Sequence, residues 1–121
     1  MCILVVDDEP VTLMVASEVL REAGHEVMTA RHVPAALEIL MAHPSHFTCL
    51  VTDFNMPGGL TGAHLIERMR KPYPTIPVVL ATGLGAPVTP EWCTKHGVEL
   101  LSKPYSLATL VEAVERLLNQ A

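Results

Sequence analysis

Short apolar runs alternate with longer stretches of helical periodicity along the whole chain. The first run, Cys2-Ile3-Leu4-Val5-Val6, predicts a strand over residues 2–6. Val11, Met14, Val15, Glu18, Val19 and Leu20 then follow helical spacing. Pro10 suits the first turn of that helix, Asp8 or Glu9 can cap it, and Gly24 stops it. The alternation repeats four more times. Strands are predicted over 26–30, 48–53, 77–82 and 98–102. A second helix opens at Pro34, runs through Ala35, Leu37, Ile39 and Leu40, and ends before His43-Pro44. A third covers 63–70 and is stopped by Lys71-Pro72-Tyr73-Pro74. A fourth, short and weakly specified, covers 90–96. A fifth covers 106–119, with Ser106 as N-cap and Leu107, Leu110, Val111, Val114, Leu117 and Leu118 as its apolar face.

Five βα units predict an α/β fold, a doubly wound five-stranded parallel sheet. Strands 1, 3 and 4 are almost continuously apolar, as expected when helices cover both sheet faces. The flavodoxin-like order 2-1-3-4-5 places strands 1 and 3 side by side where the chain reverses direction. Ligands of such sheets bind outside the carboxyl ends of the strands at that point. Asp7-Asp8, Asp53, Thr82 and Lys103 follow or end strands 1, 3, 4 and 5, so the topology gathers them at one edge.

At 121 residues the chain is expected to form one domain, residues 1–121. Its net charge of −5 argues against a nucleic-acid surface. No apolar run reaches the length of a membrane span and no signal-peptide pattern opens the chain, so no membrane insertion and a cytoplasmic location are expected. Cys2, Cys49 and Cys93 are odd in number and widely spaced, which fits buried thiols better than disulfides or a CxxC metal site.

Clustered carboxylates repel each other unless a cation intervenes. Mg²⁺ takes oxygen ligands and commonly bridges carboxylates to phosphate. A carboxylate at such a site can attack phosphorus. Phosphoryl transfer then needs its equatorial oxygens neutralised, which an ammonium and a hydroxyl can assist. Each residue has a bland account by itself. Asp8 and Glu9 could be only helix caps, Asp53 the start of an Asx-turn, Thr82 a strand former and Lys103 a surface lysine. None of these explains why all of them meet at one edge. His43 and His46 lack a third ligand and read as an exposed loop, and Gly83-Leu84-Gly85 is too short for a phosphate loop.

In order and spacing, these motifs resemble the receiver domain of two-component response regulators, and the resemblance covers the whole chain. Val5-Val6-Asp7-Asp8-Glu9-Pro10 is similar to the family's acidic-pair motif. The resemblance implies Asp53 as phosphoacceptor and Asp8 as a direct Mg²⁺ ligand with Asp7 beside it. It implies Asn55 as the donor of a backbone carbonyl to the metal, Thr82 as the switch hydroxyl, and Lys103-Pro104 as a Lys-Pro pair joined by a cis bond. The partners it implies are a sensor histidine kinase or a histidine phosphotransfer protein, and a partner or second copy bound on phosphorylation. The domain would be a phosphoaccepting signalling module and not an enzyme in the ordinary sense.

Three positions depart from the usual pattern. The turn Pro57-Gly58-Gly59-Leu60-Thr61-Gly62 is one residue longer and resembles receivers of hybrid sensor kinases. Leu100 stands where the family places its switch aromatic, so the response is expected in the segment Gly83 to Pro90 and helix 4, with no ring flip on strand 5. Tyr105 stands where phenylalanine is common. A receiver excised from a hybrid kinase remains an alternative. A small aspartyl-phosphate phosphatase would need a second acid two residues after its nucleophile on strand 1, and a flavin carrier would need a glycine- and hydroxyl-rich loop where Asp7-Asp8 stands.

Overall fold

The computed structural model describes residues 2–43, 45–56, 58–83 and 87–119. Pro44, Pro57 and Leu84 to Ala86, named above in turns and loops, lie outside the described residues. The strands are β1 (Cys2–Val6), β2 (Glu26–Ala30), β3 (Phe47–Asp53), β4 (Val78–Thr82) and β5 (Val98–Ser102). The helices are α1 (Pro10–Glu22), α2 (Val33–Ala42), α3 (Gly62–Met69), α4 (Pro90–His96) and α5 (Leu107–Asn119). All strands are parallel, in the order β2-β1-β3-β4-β5.

The continuous apolar runs have a simple physical origin. Successive side chains of a strand point to opposite faces, and here both faces are covered. On one side Leu4, Val6, Leu50 and Leu80 pack with Val33, Leu40, Leu65, Ile66 and Met69 of α2 and α3. On the other, Ile3, Val5, Val51 and Val79 pack with Leu13, Leu20, Leu110 and Val114 of α1 and α5. Each such side chain fully buried contributes roughly 1.5–3 kcal/mol by area removed from water. The three cysteines are buried and free, and burial pushes the Cys49 thiol up to about 12.

Most boundaries match the periodicity, and the others shift by one residue. β3 begins at Phe47, β4 at Val78, α3 at Gly62 and α5 at Leu107. The first helix is capped by Glu9, whose carboxylate accepts from Val11 N at 3.4 Å. The Asp8 side chain is therefore not used as the cap. α2 starts one residue before Pro34, with the His32 ring accepting from Ala35 N at 3.1 Å. Ser106 caps α5 through Thr109 N at 3.0 Å. α4 is the shortest helix and closes on Gly97, whose φ of 66° is the left-handed conformation that a Cβ disfavours.

Candidate functional site

Strands β1 and β3 are neighbours with Val6 opposite Thr52, so one residue further on Asp7 and Asp53 stand side by side at the sheet edge. A bond from Asp7 N to Ala30 O, 3.1 Å, continues the β1–β2 ladder past the last strand residue. Asp7, Asp8 and Asp53 each place a carboxylate oxygen within 4.8 Å of the others. Among the described residues this is the one such cluster of His, Cys, Asp and Glu ligand atoms. His43 and His46 instead lie against Phe47, with ring centroids 5.7 Å apart from each other.

The three acids differ in setting. Asp53 is buried, with 6% exposure, as is Asp7, with 7%, whereas Asp8 is exposed. Burial, and next the charge of Asp53, raise the Asp7 carboxyl above the usual range, against a 2.9 Å hydrogen bond from Glu9 N that favours its ionised form. Lys103 Nζ lies 2.6 Å from Asp53 Oδ1. The approach is off the hydrogen-bonding direction, so the contact is an ion pair that leaves this buried oxygen without an aligned donor. Burial alone would lower the Lys103 ammonium. Its close pairing with Asp53, and the charge of Asp7, outweigh burial and hold it above the ordinary lysine value.

Backbone bonds place the remaining groups. Lys103 N donates to Thr82 O at 2.8 Å, which ties the lysine to the end of β4. Thr82 itself is buried, with 8% exposure, opposite Ser102 of β5. The Lys103-Pro104 bond is cis, as the resemblance implies. Phe54 N donates to Ala81 O at 2.9 Å, and Asn55 is exposed in the turn that follows. Asp7, Asp8, Asp53 and Lys103 are therefore brought together. Thr82 is joined to them through the backbone of Lys103, and Asn55 lies two residues past Asp53.

One residue of the site was not singled out by its sequence. Gly62, the first residue of α3, donates its N–H to Phe54 O at 2.8 Å. A Cβ added there would fall 2.3 Å from Asp53 O and 2.9 Å from Leu80 Cδ1. Only a residue without a side chain lets α3 pack this close to the Asp53 backbone. Its position in a glycine-rich turn was the available signal, but Gly58 and Gly59, with nothing within 4 Å, carry the same signal.

The raised Asp7 carboxyl gives a signed pH expectation. Its folded value lies above its unfolded one, so its effect is absent when both states are protonated. Stability is then lost as pH rises from about 3.8 through the raised value, because the folded state resists ionisation. Without divalent cations, Asp7→Asn should melt above the native protein at neutral pH, and that advantage should shrink steadily as the solution is acidified. Paired thermal melts across this range check it; a gap independent of pH would contradict it.

The model of the "Response regulator receiver domain" family matches residues 3–115, and the chain belongs to that family. It is a receiver domain of two-component response regulators, a signalling phosphoacceptor domain. It is 31% identical over 115 residues to the response regulator protein FleR of Pseudomonas aeruginosa, covering 94% of this chain and 24% of FleR. It is 31% identical to the transcriptional regulatory protein FixJ of Bradyrhizobium diazoefficiens, covering 98% of this chain and 57% of that one. The chain thus spans less than two thirds of either relative. A response regulator receiver domain protein from Clostridium thermocellum superposes with a TM-score of 0.89 at 30% identity, covering 98% and 94% of the two chains. The receiver domain of the hybrid histidine kinase CckA superposes with a TM-score of 0.82 at 31% identity, covering 98% and 99%. Receiver domains in general bind Mg²⁺ at an acidic pocket and interact with histidine kinases or phosphotransfer proteins. No described helix is long and apolar enough to cross a membrane.

Proposed function

We propose that Asp53 accepts a phosphoryl group from the phosphohistidine of a sensor histidine kinase or histidine phosphotransfer protein in the cytoplasm. The observation that supports this most is the convergence of Asp7 and Asp8 on a buried Asp53 that also pairs with Lys103. An oxygen of Asp53 attacks phosphorus, and the O–P bond forms as the donor's N–P bond breaks. The bonding pair leaves with the imidazole nitrogen, which takes up a proton. The product is an aspartyl phosphate on residue 53 and a neutral histidine on the partner.

The other residues hold the charge that moves. The Lys103 ammonium exchanges its contact with Asp53 for a phosphoryl oxygen, and the Thr82 hydroxyl donates to a second. Asp8, Asp53, the Asn55 backbone carbonyl and Asp7 would hold Mg²⁺. The site fits such a cation: its donors are hard oxygens, three carboxylates crowd together, and Asp53 Oδ1 is buried without an aligned hydrogen bond. When bound, the cation neutralises the clustered acids and the incoming phosphoryl oxygens. The single domain over 1–121 then changes conformation to signal.

Acetyl phosphate with Mg²⁺ replaces the partner in a direct test. Intact mass should rise by one phosphoryl group, and EDTA should prevent the rise. No added mass in the presence of Mg²⁺, or equal addition with EDTA, would overturn the proposal.

A further inference from the structure

We infer that α3 carries the phosphorylation state of Asp53 to α4, through a rigid contact at its first residue and a latch at its other end. The inference rests on the reading of Asp53 as phosphoacceptor and names the route by which that site reports. Three routes lead away from the site edge, through the segment between Thr82 and α4, along β5 and along α3. On β5, Leu100 is 41% exposed and aliphatic, so that strand offers no ring to reorient.

The α3 route is built at both ends. At the first, Gly62 N bonds Phe54 O at 2.8 Å, and there is no room for even a Cβ above Asp53 O. Phe54 is buried in one cluster with Leu65, Ile66 and Met69 of α3. A shift of the Asp53-Phe54 backbone therefore displaces the helix as a unit, because close-packed groups transmit displacement. At the far end, Arg70 Nε donates to His96 O at 2.7 Å and Arg70 Nη2 to Gly97 O at 3.3 Å, which grips the last turn of α4. Glu67 Oε2 accepts from Trp92 Nε1 at 3.0 Å, and the indole stacks on His96 with centroids 4.6 Å apart. Glu67 and Arg70 are three residues apart on a helix, so they present one face to α4.

The latch has a second place to go. A groove of about 300 Å³ opens between α3 and the start of α4, lined by Phe54, Thr61, His64, Glu67, Val88 and Trp92. The indole can swing into it once Glu67 moves away. The Glu67–Trp92 bond is exposed and so weak enough for a small displacement to decide between the two arrangements. Loading of Asp53 shifts α3, releases the indole and leaves Arg70 as the remaining side-chain tie from the end of α3 to α4. Coupling is reciprocal: breaking the latch by mutation favours the loaded state.

Trp92 is the sole tryptophan, so all indole emission comes from the latch residue. Beryllofluoride with Mg²⁺ serves as the phosphoryl mimic on the full chain. Native protein should show a saturable emission change. Glu67→Ala should abolish it and bind beryllofluoride several-fold tighter, while Glu67→Gln, which still accepts from the indole, should retain it. Arg70→Met should lose at least half of it. Phosphoryl uptake from acetyl phosphate, read by intact mass, separates the two readings. No uptake by native protein would overturn the site assignment and this route with it. Normal uptake with an unmoved Trp92 spectrum, or with Glu67→Ala and Arg70→Met responding as the native chain does, would overturn the α3 route alone.

Discussion

Asp53→Asn is expected to reduce phosphoryl uptake from acetyl phosphate to the level seen with EDTA. The amide matches the carboxylate in size, so the buried position between β1 and β4 is kept. What is lost is the anionic oxygen that attacks phosphorus, and a neutral amide is a far weaker nucleophile. Asp7 and Asp8 remain in the cluster and keep their carboxylates. The variant therefore distinguishes a nucleophile from a generally acidic patch. Labelling that persists on Asp8 or Asp7, located by peptide mapping, would mean that the acceptor is not Asp53. The same substitution has a signed effect at alkaline pH. Attraction to Asp53 helps to raise the Lys103 ammonium above its ordinary value of 10.5. That contribution to stability is fully present below about 10.5 and is lost as pH rises through the raised value. In Asp53→Asn the two largest causes that raise the ammonium are gone while burial, which lowers it, remains and exceeds the effect of Asp7, so the alkaline loss should shrink or vanish.

The strand ends were legible because burial on both faces writes an uninterrupted apolar run, and a run ends where the charge begins. Asp7, Asp53, Thr82 and Lys103 could be placed at one edge from that pattern and from topology alone. Five repeats of one unit imply a parallel sheet, since parallel strands need crossovers, and the order 2-1-3-4-5 was the flavodoxin-like choice among the doubly wound orders. Helix caps were less legible. Asp8 and Glu9 are both carboxylates next to Pro10, and only the backbone conformation decides that Glu9 caps α1. That decision matters for the site, because it leaves the Asp8 carboxylate outside the cap.

What could not be read was contact between distant segments. Trp92 packs half-buried against the core, and its indole nitrogen bonds Glu67, 25 positions away. Arg70 follows α3 with no mark to separate it from Arg68, yet its guanidinium holds two carbonyls at the end of α4. Periodicity locates a face of a helix. It does not say which other helix meets that face, and here α4 is too short to show a period of its own.

Gly62→Ala should cost at least as much stability as the same change at either neighbouring turn glycine, and it alone should impair phosphoryl uptake. Gly62 is helical, and alanine in a helix interior would gain about 1 kcal/mol over glycine on propensity alone. Space decides the sign against that gain. The new Cβ would lie 2.3 Å from Asp53 O, and the obstructing atom is backbone that cannot rotate away. Overpacking of this kind costs about 1–3 kcal/mol or more, and a fixed backbone obstacle puts it at the upper end. A net loss of about 2 kcal/mol is expected, lowering the melting temperature by roughly 8 °C for a domain of this size. Gly58 and Gly59 have φ of 80° and 74° with nothing within 4 Å. Alanine there meets only the left-handed backbone penalty of about 1–2 kcal/mol. The clash at Gly62 also bears on the carbonyl of the acceptor itself, so phosphoryl uptake should fall together with stability. The Gly58 and Gly59 variants should lose stability while uptake at low temperature stays near native. Melting curves and uptake rates for the three variants test this together. If Gly62→Ala melts within about 2 °C of the native protein and takes up phosphoryl groups at the native rate, α3 is not held against Asp53 as described.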